Sequence, residues 1–159
     1  MPNGSTARTN AIAWRTREAP SLEAFEILAE DAFARLPESF RALCGGVVLR
    51  VDFRALCGGV VLRVEDFPED DVLEELEAES PFDLLGLFQG VGLAQAGAIS
   101  ETGRLPNMVF LYRRPILDYW SENEETLGEI IAHVLIHEIG HHFGLSDDDM
   151  ERVESQVED

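Results

Sequence analysis

The sequence contains no lysine, and all twelve of its basic residues are arginine. That gap assigns no function, but the scarcity of bases has a consequence. Thirty-one acids against 12 bases give a formal net charge of −19. Such a field repels phosphate backbones, so no nucleic-acid partner is expected. A long hydrophobic run is also missing: nothing nears the eighteen or so apolar residues of a membrane span. Residues 1–20 lack the apolar core of a secretory signal. Their Arg- and Ser/Thr-bearing composition only weakly resembles a transit peptide, and the segment reads as a disordered tail. Cysteine is scarce as well. Cys44 and Cys57 sit in two copies of one repeated segment, so they amount to one cysteine counted twice. Their spacing fits neither a zinc clamp nor a disulfide framework, and a reducing cytoplasm is the expected setting.

What is present suits one globular domain over residues 21–159. Ser21 to Leu36 reads as an amphipathic helix capped by Ser21, with Leu22, Phe25, Leu28, Ala29, Ala32 and Phe33 at helical spacing. Glu69 to Glu79 reads as a short acidic helix, Leu84 to Leu93 as a glycine-punctuated strand, and Gly97 to Pro106 as a polar loop. Met108 to Tyr112 is a strand by composition, and Pro115 begins a turn or short helix through Trp120. A long helix follows, with Ser121 and Glu124 as its expected capping box and Leu127, Ile130, Ile131, Val134, Leu135 and Ile139 as its buried stripe. Gly144 stops it, and Asp148 to Val157 reads as a terminal helix.

One segment occurs twice. Residues 40–51 and 53–64 both read FRALCGGVVLRV, a tandem duplication of period 13. Each copy carries one strand, Val47 to Val51 or Val60 to Val64. A strand moved by an odd number of residues turns its faces over, so the copies are not expected to extend one ladder in register. One copy is expected to pair in the sheet while much of the other bulges out. The second copy is favoured because it runs directly into the downstream chain.

The chemistry concentrates in His137 to Asp147, HEIGHHFGLSD. Within it, His137, Glu138 and His141 form H-E-x-x-H. Residues four apart lie one turn apart on nearly one helical face, so both imidazoles can converge on one ion. Glu138, beside the first ligand, can reach a metal-activated water rather than the metal, and serve as general base. Gly144 lets the chain turn back, and Asp147 then approaches from outside the helix. Two histidines, one carboxylate and an open position compose a catalytic zinc site rather than a closed structural one.

Other donors compete. Asp148 or Asp149 could replace Asp147, although spacing favours Asp147. His133 lies one turn before His137 but too far from His141 to share an ion with both, and Glu129 is its expected partner. His142 points away from His141 and reads as structural or exposed. A ligand from a distant downstream helix is not expected, because only 18 residues follow His141. Tyr112 and Tyr119 are weak candidates for oxyanion stabilisation, and Met150 reads as a gap filler.

The H-E-x-x-H-x-x-G-x-x-D pattern resembles the metzincin clan of zinc peptidases in its variant with Asp as third ligand. The stretches LPESFRAL, VVLRVEDFPEDDVLEEL, SPFDLLGLFQGV, GRLPNMVFLYRRPILD and TLGEIIAHVLIHEIGHHFGLSDDDM are similar to the bacterial minimal zincin-like metallopeptidase family. The resemblance implies an α+β fold, with a small mixed sheet packed against an N-terminal helix and a long active-site helix. It also implies Zn2+ at His137, His141 and Asp147, a catalytic Glu138, and a peptide or protein substrate extended along a sheet edge. The chain departs from the family in its duplicated segment, and no clear Met-turn is visible. The competing function is a zinc-stabilised binding module for a basic partner, without proteolysis.

Overall fold

The computed structural model describes residues 4–44, 48–50, 60–90 and 107–157. The polar loop expected over Gly97 to Pro106 lies outside the described residues. The fold is α+β, as expected, with seven helices and one four-stranded sheet among the described residues. The opening segment, read from composition as a disordered tail, holds α1 (Gly4–Ala13). Trp14, just beyond it, packs its ring 5.7 Å from that of Trp120.

Helix α2 (Leu22–Ala34) begins where Ser21 Oγ accepts the Ala24 N–H at 3.1 Å. It buries Phe25, Ala29, Ala32 and Phe33. Leu22 and Leu28 stay largely outside the core, so the buried stripe is narrower than the spacing alone suggests. After Pro37 comes α3 (Glu38–Arg41), which adds Phe40 to the same core, and the 3-10 turn Ala42–Cys44 adds Cys44.

The strands are β1 (Val48–Arg50), β2 (Val60–Glu65), β3 (Gly86–Gln89) and β4 (Asn107–Tyr112), in the order β1-β2-β4-β3. The first two pairings are parallel, and β3 runs antiparallel on β4 as an edge. Both copies of the duplicated segment therefore enter the sheet, which corrects the expectation that only one would pair. They pair with each other, one residue out of step with their repeat. Val48 faces Val60 and Leu49 faces Val61, an offset of 12 rather than 13. No residue thus lies beside its own duplicate. The second copy holds the central place, pairing with β4 from Val60↔Asn107 to Glu65↔Tyr112.

Between β2 and β3, α4 (Asp70–Glu75) is shorter than the acidic pattern suggests; Glu77 follows it at φ 54°. Helix α5 (Arg113–Glu122) follows β4 directly, and Arg113 ties it back to Asp66 at 3.0 Å and to the Pro20 carbonyl at 2.6 Å.

Helix α6 (Leu127–His142) is the spine of the core, packed against β3 and β4 and against α2, which itself lies on β1 and β2. Its start is set by a different box from the one expected. Thr126 Oγ1 accepts the Glu129 N–H at 3.1 Å, and the Thr126 N–H donates to Glu129 Oε2 at 2.9 Å. Ser121 cannot play that part, because it lies inside α5 and its hydroxyl donates to the Asp118 carbonyl. Ile130, Ile131, Val134, Leu135, Ile136 and Ile139 are buried along α6. Gly144 ends the turn after it at φ +78°, a left-handed conformation that favours glycine. Ser146 then caps α7 (Asp147–Ser155), exchanging bonds with Asp149. Helix α7 packs back on α6, with Met150 wholly buried.

Candidate metal centre

Residues four apart on α6 put His133, His137 and His141 in one column. The His133 and His137 rings lie 4.0 Å apart between centroids, and His137 and His141 5.9 Å apart. The second spacing matches one helical turn, about 6 Å of rise. His137 is one-third exposed and His141 is exposed, so both reach solvent from a buried helix. Two neighbouring imidazoles on a rigid element are suitable donors for zinc.

Glu138 occupies the adjoining face, turned toward β3. Gly86 makes this approach close. A Cβ there would lie 2.6 Å from Val134 Cγ1, 2.9 Å from the Phe110 carbonyl oxygen and 3.4 Å from Glu138 Cγ. The Phe88 backbone amide of the same strand favours the charged form of the Glu138 carboxylate. Burial raises the Glu138 pKa above its ordinary value, and it outweighs the opposing pulls of His141 and of that amide. A carboxyl held this way takes up a proton more readily than a solvated one, as a general base requires.

The remaining candidates separate by position. Asp147 is the first residue of α7; it is exposed and forms no hydrogen bond or ion pair among the described residues. Asp148 is likewise exposed, whereas Asp149 is engaged by Ser146 and Arg152, which hold its pKa below the usual carboxylate range. His142 stacks on Phe88 at 3.9 Å between centroids, and burial lowers its pKa; it packs the helix against the edge strand. Tyr112 is sealed in the core at 2% exposure. Burial and the nearby Glu65, Glu69 and Glu138 push its pKa up to about 12. Tyr119 is exposed on α5.

Sequence reasoning missed Glu154. Its Oε1 lies 2.7 Å from His133 Nδ1 and 2.9 Å from His137 Nε2. His133 therefore pairs with Glu154; its expected partner, Glu129, caps the start of α6 instead. The available signal was the length of the chain's end. Eighteen residues after His141 are enough for a glycine turn and a nine-residue helix that returns along α6. Of the carboxylates near the histidines, the structure brings Glu154 onto His137 and leaves Asp147 outside bonding contact with it.

The donor set of imidazoles and carboxylates fits a divalent ion such as zinc. No helix among the described residues is long and apolar enough to cross a membrane. No curated protein matches the chain. The model of the family described as Zincin-like metallopeptidase matches residues 57–157, which take in the second copy from Cys57 onward and the whole of β2, β3, β4, α6 and α7. With the match covering more than half of its length and including the motif helix, the chain belongs to the zincin-like metallopeptidase family.

Proposed function

We propose that the chain is a zinc-dependent peptidase that hydrolyses peptide bonds, with His137, His141 and Asp147 as ligands and Glu138 as general base. One observation carries the reading: two imidazoles stand on successive turns of α6, with a half-buried carboxylate between them in sequence, facing an edge strand. When bound, zinc polarises a carbonyl and makes water easier to deprotonate. Glu138 takes the proton of the attacking water and passes it to the leaving amine. The Phe88 backbone amide favours the charged form of Glu138 in which it accepts that proton. Asp147 follows the Gly144 turn with its carboxylate uncommitted, which suits it to complete the ligand set. Edge strand β3, unpaired on its outer side among the described residues, offers backbone groups to an extended peptide.

The test is Glu138→Gln, assayed on a mixed peptide library with zinc supplied. The variant is expected to keep its zinc and lose about 10²–10⁴-fold in cleavage rate. Undiminished cleavage by Glu138→Gln, or no cleavage by the zinc-loaded wild type, removes the peptidase reading.

A further inference from the structure

We propose that His133, His137 and Glu154 form a second divalent-ion site. It shares His137 with the H-E-x-x-H motif, so an ion occupies one position or the other. The proposal concerns ion binding and does not depend on peptide cleavage.

The donors are already gathered. His133 Nδ1, His137 Nε2 and a Glu154 carboxylate oxygen all lie within 4.8 Å of one another. Donors bonded to a tetrahedral zinc at 2.0–2.1 Å stand about 3.3 Å apart. The Glu154 oxygen stands 2.7 and 2.9 Å from the two ring nitrogens, a few tenths of an ångström short of that spacing, and the ring nitrogens lie within 4.8 Å of each other. All three side chains are between one-third and one-half exposed, so an ion can enter from solvent.

The three donors also sit on well-held elements. Glu154 lies one turn beyond Met150, which is wholly buried, and the Ser146–Asp149 exchange fixes the start of α7. The two histidines stand on a helix whose inner face is core. Beside them opens a cleft of about 650 Å³, bordered by Asp31, Glu125, Glu129, His133 and Glu154. Among the described residues that line it the one arginine, Arg35, is bound by Asp31 at 2.9 Å, so the cleft carries excess negative charge and draws cations.

Sharing follows from the chemistry of imidazole. A neutral ring offers one acceptor nitrogen, and Nε2 of His137 is the atom that Glu154 addresses. An ion bonded there through His133 and Glu154 displaces ligation by the motif pair. Glu138 faces β3 on the adjoining side of α6, so this second position is a holding site rather than a reactive one.

The experiment uses the full chain carrying His141→Ala and Asp147→Asn, both at exposed positions, titrated with Co2+ alone. Calorimetry and visible absorption read the binding, and circular dichroism checks the fold. One Co2+ is expected to bind, and adding His133→Ala or Glu154→Gln is expected to abolish it. A folded double variant that binds no cobalt overturns the proposal, as does residual binding indifferent to His133 and Glu154. Should the double variant unfold, His141→Ala alone is titrated with the same criteria. Failure of peptide cleavage in the wild type leaves these readouts unchanged, so the two readings fail separately.

Discussion

Gly86→Ala tests how closely the edge strand is held to the site helix. The added methyl would meet Val134 Cγ1 at 2.6 Å and the Phe110 carbonyl oxygen at 2.9 Å. The first contact is with a stiff β-branched side chain in the core, and the second is with backbone of the adjacent strand, so neither yields cheaply. Strand β3 must therefore move off α6. Overpacking of this kind costs about 1–3 kcal/mol. In a chain of this size each kcal/mol lowers Tm by about 2–4 °C, so a fall of about 2–12 °C is expected. The displacement also draws the Phe88 amide away from Glu138 and weakens one of the two influences that lower that pKa. Thermal unfolding of Gly86→Ala, Val134→Ala and the double variant forms a cycle. Part of the Gly86→Ala loss should vanish in the Val134→Ala background, because one of the two clashes is gone. An unchanged Tm for Gly86→Ala, or strictly additive losses, refutes the close packing on which the position of Glu138 rests.

Three further outcomes are expected. Deleting residues 40–52 joins Ser39 to Phe53 and restores the same local sequence, so the second copy should supply its own phenylalanine and cysteine to the core sites of Phe40 and Cys44. Among the described residues the loss is β1, with its pairing to β2 and its packing against α2, and denaturant unfolding should find a folded but less stable protein. Loss of folding would show that the duplication is integral to the sheet. In alkali, Cys44 is pushed from 9.0 up to about 11 and Tyr112 from 10.0 up to about 12. Between pH 9 and 12 the unfolded chain has lost these protons while the folded chain keeps them, so stability falls as pH rises, and Tyr112→Phe should flatten the upper part of that fall. An identical alkaline profile for Tyr112→Phe contradicts the assignment. Met150→Ala should cost about 2–5 kcal/mol and loosen α7, freeing His137 from Glu154; ring nitrogen shifts of His137 that stay unchanged would show that Met150 does not hold that helix.

Much of the fold was legible because its signals are local. Ser21 caps α2 as its position suggests, and the apolar stripe of α6 is the core face. The start of α6 was misread because two Ser/Thr-x-x-Glu patterns, at Ser121 and Thr126, lie within one turn and a half of each other. Only the extent of α5 decides between them. The pairing of the two duplicated strands was illegible for a related reason: register is set by tertiary packing, and identical sequences give pattern arguments nothing to distinguish. At the site, the column of histidines follows from i,i+4 spacing alone. Glu154 does not, because its place depends on the angle at which α7 returns after Gly144, a property of helix packing rather than of spacing.

The most direct measurement is the metal content of the purified protein by elemental mass spectrometry, beside His137→Ala. Since His137 belongs to both the motif site and the second position, about one zinc per chain is expected in the wild type and none in the variant. A wild-type protein that carries no metal and takes up none when zinc is supplied contradicts the metal centre itself, and with it the peptidase built upon it.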